Sequence, residues 1–269
     1  MMIAQISDMH VTAEGRLAYR RVDTAAHLAR AVEHLLRLSP RPDVVVATGD
    51  LVDAATPEEY ARLRALLAPL PMPVYLVPGN HDDRPALAAA FADHRYLPRD
   101  GFMHYVVEQY PVRLVVLDTV VPGEGGGRMC DARLQWLDAR LREAPARPTM
   151  VVMHHPPFKT GIAFMDSLGL TNAEALAAVI ERHPQVERIV CGHLHRPIQR
   201  RWAGTVVLTA PSTAHQVALN LHPGTPSGFI MEPPACLLHV WTDALGLVTH
   251  TSYIGEYGGP QPFRMQSPV

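Results

Sequence analysis

The chain has 269 residues, 48% of them hydrophobic, which is enough to bury a large core in one sizeable domain or a domain with an appended subdomain. The formal net charge is only -2, so the chain lacks the broad basic surface that neutralises a nucleic-acid polymer. It has three cysteines without C-x-x-C spacing, no secretory signal pattern and no apolar run of membrane-spanning length. We therefore expect a cytoplasmic protein that makes no membrane contact.

Strand-like and helix-like patterns alternate through the first two thirds of the chain. Short apolar runs predict strands, and longer stretches with apolar residues at helical spacing predict helices between them. In chain order, the expected strands are residues 2–6, 43–47, 74–77, 102–107, 113–117, 149–153 and 188–191. The expected helices are residues 22–38, 57–67, 85–92, 131–142 and 172–182. Because residues 102–107 alternate as an antiparallel strand does, we expect an α/β fold with two stacked mixed sheets.

The helical pattern stops after residue 196, and the chain becomes rich in proline. Strand-like pieces follow at residues 205–209, 235–242 and 247–253, and residues 221–234 are expected to form a long loop. We therefore predict a boundary near residue 196. Residues 197–269 would then supply further strands.

Five short polar segments come directly after predicted strands, where an α/β sheet presents its binding crevice. They are Asp8-Met9-His10, Gly49-Asp50, Gly79-Asn80-His81-Asp82, His154-His155-Pro156 and Gly192-His193-Leu194-His195. A single segment of this kind arises easily by chance, but five at strand ends do not. Carboxylate, imidazole and amide donors without a thiolate favour a hydrolytic site for Mn, Fe, Zn or Co. The candidate ligands in these segments also outnumber the four that a closed structural zinc site uses.

In this order, the five segments resemble the motif of the calcineurin-like metallophosphoesterases: D-x-H, G-D, G-N-H-[DE], H and G-H-x-H. The resemblance covers about residues 1–196. Through ISDMH, PGNHDD, MHHPP and CGHLH, the chain is similar in particular to bacterial class III cyclic-nucleotide phosphodiesterases and glycerophosphodiester phosphodiesterases. The resemblance implies a four-layer αββα sandwich with its catalytic domain over residues 1–196. It also implies a C-terminal cap or dimerisation extension, and hence a homodimer or a larger even assembly, with edge strands and residues 229–234 as possible contacts.

The resemblance gives the motif residues their expected roles. One divalent ion would be held by Asp8, His10 and His195, and a second by Asn80, His154 and His193. Asp50 would bridge the two ions, and a hydroxide shared by them would attack a small phosphodiester. His81 would face the phosphate and stabilise the transition state, with protonation of the leaving group as a second role. The native metals stay open, as does the choice between cyclic nucleotides such as cAMP and glycerophosphodiesters.

The neighbours of these residues allow more than one interpretation. His155 is expected to support a ligand or the fold rather than to bind a metal itself, because adjacent side chains on an extended segment point to opposite faces. Asp82 would either orient the His81 imidazole or be a solvated loop carboxylate. His215 would either contact substrate or be a polar loop histidine. Three further residues are candidates for shaping the part of the substrate beyond the phosphate, namely Asp53, Arg84 and Asp166.

Three rival functions are compatible with this donor set. A phosphomonoesterase or a nuclease would need the same ions, although the narrow, capped site that we expect argues against a bulky polymer. A non-catalytic interaction scaffold would be free to lose His81 or a ligand, and this sequence has lost neither. The resemblance to the bacterial phosphodiesterases therefore implies a metal-dependent phosphoric diester hydrolase.

Overall fold

The computed structural model describes residues 1–222 and 224–263 of the chain. Residue 223 of the predicted loop and residues 264–269 of the predicted C-terminal extension lie outside the described residues. Six helices are described: α1 Thr24–Arg37, α2 Pro57–Leu67, α3 Arg84–Ala90, α4 Asp131–Arg142, α5 Ala163–Ser167 and α6 Ala173–Ile180. Within the described ranges, no helix is both long enough and apolar enough to cross a membrane.

Fifteen strands are described in the same ranges. They are β1 Met2–Ile6, β2 Val44–Thr48, β3 Val74–Val77, β4 Tyr105–Val107, β5 Arg113–Val116, β6 Gly127–Arg128, β7 Thr149–Val152, β8 Leu170–Thr171, β9 Val186–Cys191, β10 Ile198–Trp202, β11 Thr205–Thr209, β12 Gln216–Val217, β13 Phe229–Ile230, β14 Ala235–Thr242 and β15 Gly246–Tyr253.

The strands form two large sheets, and both are mixed, as predicted. The five-stranded sheet has the order β15-β14-β1-β2-β3, and the six-stranded sheet has the order β10-β11-β9-β7-β5-β4. In the first sheet, β1, β2 and β3 are parallel, while β14 pairs antiparallel with both β1 and β15. In the second, β5, β7, β9 and β11 are parallel while β4 and β10 are antiparallel. Strands from the C-terminal quarter thus complete both sheets, and the predicted domain division stays a prediction.

Alternation of side chains along the strands divides the core. On β5, Leu114 and Val116 belong to the large cluster that also holds β1, β2, β3 and helices α1 to α3. Val115 between them belongs to a second cluster, which it shares with Leu137 of α4 and Leu176 of α6. Successive side chains on a strand point to opposite faces, so one face meets the other sheet and the other face meets helices. This arrangement confirms two stacked sheets flanked by helices.

The helix starts follow from side-chain capping. Thr56 accepts a hydrogen bond from the Glu59 backbone N–H while Glu59 reaches back to the Thr56 backbone, and Pro57 occupies the first turn of α2. Asp23 accepts from the Ala26 N–H, so α1 begins at Thr24 rather than at the predicted residue 22. Side-chain capping therefore determines the first residue of these helices, which the spacing of apolar residues locates only approximately.

The sequence patterns missed several short elements. Strand β10 was not predicted because it lies at a sheet edge with mostly exposed side chains, so it has no apolar alternation. Strand β13 lies inside the predicted loop over residues 221–234 and pairs with β12. The antiparallel strand predicted over residues 102–107 is present but begins only at Tyr105. Helix α5, with five residues, is too short to show helical spacing.

Candidate metal centre

The five polar segments lie at the carboxyl ends of β1, β2, β3, β7 and β9. Parallel pairing brings β1, β2 and β3 to one edge of their sheet, and β7 and β9 to the same edge of the other. The structure brings together there all seven side chains that the sequence singled out as ligands: Asp8, His10, Asp50, Asn80, His154, His193 and His195. All of them except the half-buried Asn80 are buried.

Five of these residues adopt the left-handed backbone conformation that non-glycine residues rarely use. Their φ angles are 51° for Asp8, 43° for His10, 49° for Asp50, 70° for His193 and 49° for His195. Each such residue costs on the order of 1 to 3 kcal/mol and persists only where the surroundings impose it. This concentration of strain in one cluster indicates that side-chain direction is set by function here.

A first group of donors surrounds His10 and His195. Their Nε2 atoms lie 3.1 Å apart. The His195 Nε2 is 3.6 Å from the Asp8 Oδ1, and the His10 Nε2 is 3.6 Å from the Asp50 Oδ2. The Asp8 Oδ2 is buried and has no hydrogen-bond partner among the described residues. Two imidazole nitrogens and two carboxylates therefore converge on one point.

A second group of donors surrounds Asn80. Its Oδ1 lies 3.1 Å from the His154 Nε2 and 3.1 Å from the His193 Nδ1. The His154 Nε2 is also 3.4 Å from the Asp50 Oδ1. This group again combines oxygen and imidazole donors around a common point.

Asp50 lies between the two groups and directs one carboxylate oxygen to each. Close backbone packing holds it there, because a Cβ at Gly79 would collide with the Asp50 backbone nitrogen and carboxylate. A Cβ at Gly49 would collide with the His154 ring. Only glycine allows this approach of the two loops.

Three of the histidines are anchored through the nitrogen that faces away from the cluster. The His154 Nδ1 is 2.8 Å from the Thr48 carbonyl, and the His193 Nε2 is 3.0 Å from the Leu168 carbonyl. The His195 Nδ1 is 3.0 Å from the His215 carbonyl. Because a carbonyl only accepts, each of these nitrogens donates, and the opposite nitrogen points to the cluster, where it presents a lone pair when the ring is neutral. Metal-binding histidines are held in this way.

The electrostatics of the cluster also suit a cation. Burial by itself would lower the pKa of His154, but the Asp50 carboxylate outweighs it and raises the pKa to about 9. Burial lowers the pKa of His193 to about 3, so that ring is neutral. Buried carboxylates without a full set of cationic partners are compensated by bound cations. The donors and their charge therefore fit divalent metal ions.

His81 lies beside the first group, with its ring centroid 4.6 Å from that of His10. Its backbone N–H donates to the Asp50 Oδ1 at 2.9 Å, and its Nδ1 donates to the Asp53 carbonyl at 2.8 Å. The Asp53 main chain, and not the Asp82 carboxylate, thus orients this imidazole. The Nε2 edge is left to face the cavity.

Both interpretations of Asp82 were wrong. Its carboxylate is buried, and it accepts hydrogen bonds from the backbone N–H groups of Leu51 and Gly79 and from the Tyr60 hydroxyl. Burial, followed by the nearby Asp50 charge, raises the pKa of Asp82 to about 6. Asp82 therefore joins the loop after β2 to the loop after β3.

His155 lies close to His154 and His193, but its ring nitrogens are engaged elsewhere. The Nδ1 lies 2.8 Å from the Thr119 hydroxyl and the Nε2 lies 3.2 Å from the Gly125 carbonyl. These contacts leave no ring nitrogen for a metal ion.

A cavity of about 430 Å³ opens above the two donor groups. His215 lines it, with its ring centroid 4.8 Å from that of His195, and its ring nitrogens have no hydrogen-bond partner among the described residues. It is buried rather than a polar loop residue. Burial, and then the neighbouring His195, lower its pKa to about 2, so the ring is neutral.

The remaining candidates for substrate contact do not line this cavity. Arg84 forms an ion pair with the buried Asp118, and both Asp166 carboxylate oxygens accept hydrogen bonds from residues 160 and 161. The sequence reasoning missed the apolar walls, because no motif marks them. Their main side chains are Tyr19, Phe164, Met165, Leu168, Val217 and Phe229.

Comparison with known proteins agrees with this geometry. Residues 1–197 match the model of the calcineurin-like phosphoesterase domain. The chain belongs to the calcineurin-like phosphoesterase family. A probable glycerophosphodiester phosphodiesterase GpdQ from Arcobacter nitrofigilis is 39% identical over 264 residues, covering 98% of this chain and 97% of the relative. The 3',5'-cyclic adenosine monophosphate phosphodiesterase CpdA from Escherichia coli K12 is 32% identical over 214 residues, covering 80% of this chain and 76% of the relative.

Solved structures share the fold. A dimetal phosphatase from Danio rerio superposes with a TM-score of 0.65 at 18% identity, over 95% of this chain and 99% of the other. A purple acid phosphatase from yellow lupin gives a TM-score of 0.62 at 15% identity, over 93% of this chain and 53% of the other. At this identity the likeness concerns architecture. Family membership and the buried cluster together make this calcineurin-like phosphoesterase a hydrolase whose site suits divalent metal ions.

Proposed function

We propose that this calcineurin-like phosphoesterase is a binuclear metal-dependent phosphodiesterase. Its substrates are small phosphodiesters, namely cyclic nucleotides such as cAMP or glycerophosphodiesters. The observation that carries the proposal is the position of Asp50, whose two carboxylate oxygens face two separate donor groups. The names of the GpdQ and CpdA relatives support the substrate class.

Each donor group would hold one ion. Asp8, His10 and His195 would bind the first, Asn80, His154 and His193 the second, and Asp50 both. Bound divalent ions neutralise phosphate charge and lower the pKa of a bound water, so that hydroxide is available near neutral pH. Mn, Fe, Zn and Co all accept this set of oxygen and nitrogen donors.

His81 and His215 would act on the substrate. When protonated, His81 donates its Nε2–H to the phosphate as charge develops, and it can pass that proton to the departing alkoxide when the phosphorus–oxygen ester bond breaks. The Asp53 carbonyl holds the opposite nitrogen, which fixes the direction of this donation. His215 would contact substrate as a neutral ring, since its pKa is lowered to about 2.

The cavity supports a small substrate. Its volume of about 430 Å³ lies within the range of small-molecule sites, and among the residues that the structure describes no lysine or arginine lines it to follow a polynucleotide backbone. The three cysteines are free, which supports a reducing, cytoplasmic location. A homodimer or a larger even assembly remains part of the proposal.

The test is turnover of the protein reconstituted with Mn and, separately, with Zn or Co. We expect bis(p-nitrophenyl) phosphate to be hydrolysed in preference to p-nitrophenyl phosphate. The relative turnover of cAMP and glycerophosphocholine then distinguishes a cyclic-nucleotide phosphodiesterase from a glycerophosphodiester phosphodiesterase. Dominant monoester turnover would replace the phosphodiesterase assignment with a phosphomonoesterase. Two bound metals per chain without any turnover would favour an interaction scaffold.

A further inference from the structure

The cavity above the donor groups has two walls of different origin. His10 and His195 lie on the side of the first wall, where the Tyr19 and Phe229 rings stack with centroids 4.8 Å apart beside His215. His81 lies on this same side, against His10. The second wall comes from helix α5 and the residue after it, and it stands beside His193, whose Nε2 contacts the Leu168 carbonyl.

The second wall is anchored to the donor segment itself. Met165 packs in a small cluster with Leu194, the residue between His193 and His195. Asp166 holds the start of α5, because its carboxylate accepts from the backbone N–H groups of Thr160 at 2.7 Å and Gly161 at 2.9 Å. These contacts hold α5 in a defined position relative to the donor groups.

Phe164 is the exposed aromatic side chain of this second wall. It lines the cavity, yet 48% of its surface is exposed. Its neighbour Met165 is buried and already accounts for the packing of α5. An exposed aromatic side chain on a fixed helix at a cavity rim is typical of a ligand contact rather than of core packing.

An acyclic phosphodiester carries two alcohol groups on one phosphorus, and the cavity has two walls that could receive them. If His81 protonates the leaving alkoxide, as proposed above, that arm would depart on the side of Tyr19 and Phe229. The retained arm would then face α5.

We propose that Phe164 is a specificity determinant that binds the retained alcohol group and favours diesters in which this group is a nucleoside or another flat, apolar moiety. The inference rests on the proposed phosphodiesterase function. Charge supports it as well, because no lysine, arginine or free carboxylate from the described residues lines the α5 side of the cavity. A flat apolar group would pack against this wall, whereas the Phe164, Met165 and Leu168 side chains offer the hydroxyls of a glycerol group no hydrogen-bond partner.

The test keeps one leaving group and varies the retained arm. p-Nitrophenolate leaves from each of four substrates: bis(p-nitrophenyl) phosphate, thymidine 5'-p-nitrophenyl phosphate, methyl p-nitrophenyl phosphate and p-nitrophenyl phosphate. For Phe164→Ala, we expect kcat/KM to fall roughly tenfold, equivalent to about 1.4 kcal/mol, for the aryl and thymidine arms. We expect a change within about twofold for the methyl arm and the monoester, and partial retention of the preference in Phe164→Leu.

Tyr253→Ala is the matched control, because Tyr253 is an aromatic residue of β15 with 54% of its surface exposed and it does not line this cavity. It should leave all four kcat/KM values unchanged. Binding of thymidine 5'-monophosphate to the metal-loaded protein, measured by calorimetry, should weaken in Phe164→Ala and not in the control.

An equal loss for all four substrates, or no loss for any, would overturn the role of Phe164 while leaving the phosphodiesterase assignment intact. If the metal-loaded wild-type protein hydrolysed none of the diesters, the proposed function would fail and this inference with it.

Discussion

At the scale of single residues, the site depends on histidine rings that are oriented by hydrogen bonds on the side facing away from the cluster. The carbonyls of Thr48, Leu168 and His215 each hold one nitrogen of a histidine and present the other to the cluster. Asp50 differs, because both of its side-chain oxygens point to donor groups. Its removal should therefore affect both groups together.

Asp50→Ala should lower the metal content of the purified protein and reduce turnover. Loss of a residue that merely supports a metal ligand weakens binding or activity roughly 10- to 100-fold, so loss of a shared ligand should exceed about 100-fold. Metal analysis and turnover of bis(p-nitrophenyl) phosphate check this. Asp93→Ala is the control, because Asp93 pairs with Arg64 at the surface and should change neither quantity. Near wild-type turnover in a metal-verified Asp50→Ala sample would rule out the bridging role.

At the scale of elements, loops from different strands must be held together before the donors can converge. Asp82 does this for the loops after β2 and β3, and the Tyr60 hydroxyl of α2 donates to its Oδ1 at 3.1 Å. The same hydroxyl accepts from the Asp83 N–H at 3.0 Å, next to α3. Helix α2 therefore positions two metal-site loops from outside the site.

Tyr60→Phe should destabilise the protein by about 1 to 3 kcal/mol, because it leaves a buried carboxylate oxygen and a backbone N–H without a partner. Urea unfolding measures the change in the free energy of unfolding. Tyr253→Phe removes an exposed hydroxyl and should stay within about 0.5 kcal/mol of wild type. Equal stabilities for the two variants would mean that the Tyr60 hydroxyl contributes nothing to loop positioning.

At the scale of the whole molecule, a buried polar link joins the sheets. His239 of β14 donates from Nε2 to the Gln5 Oε1 at 3.1 Å and accepts at Nδ1 from the Thr249 hydroxyl at 2.9 Å. Gln5 in turn donates to the Cys191 carbonyl of the other sheet at 2.9 Å. Burial, followed by the Arg188 charge, lowers the pKa of His239 to about 3. The folded protein therefore keeps this ring neutral.

This link should make the fold sensitive to acid. Below the ordinary histidine pKa of about 6.5, His239 binds a proton in the unfolded chain but stays neutral in the folded chain. Its contribution to the free energy of unfolding is therefore fully present above that pH and falls towards pH 3. As the pH falls through this window, the free energy of unfolding should decrease less steeply in His239→Gln than in wild type, by up to about 1.4 kcal/mol per pH unit. Urea unfolding at about pH 7 and about pH 5, with a chelator present to remove metal effects, measures it. Thr251→Ala changes an exposed residue of β15 that has no titratable group, so it should keep the wild-type slope. An unchanged slope in His239→Gln would contradict this origin of the acid sensitivity.

The sequence by itself determined the alternation of strands and helices, the mixed sheets and the family, because apolar periodicity and strand-end motifs are local signals. Helices α2 and α4 were predicted with the bounds that the structure has. The five motif segments also located the cluster, since parallel strands gather their carboxyl ends at one edge. Edge strand β10 and the short helix α5 escaped prediction, because neither shows periodicity.

Only the tertiary structure decided the environments of the side chains. Asp82 was expected beside His81 or in solvent, and packing against α2 placed it in a buried network instead. His215 belongs to a cavity wall because β12 and β13 pair, which local sequence does not encode. The walls of the cavity combine segments from distant parts of the chain, from Tyr19 to Phe229. Their chemistry follows from long-range packing, so it was decided only when the chain folded.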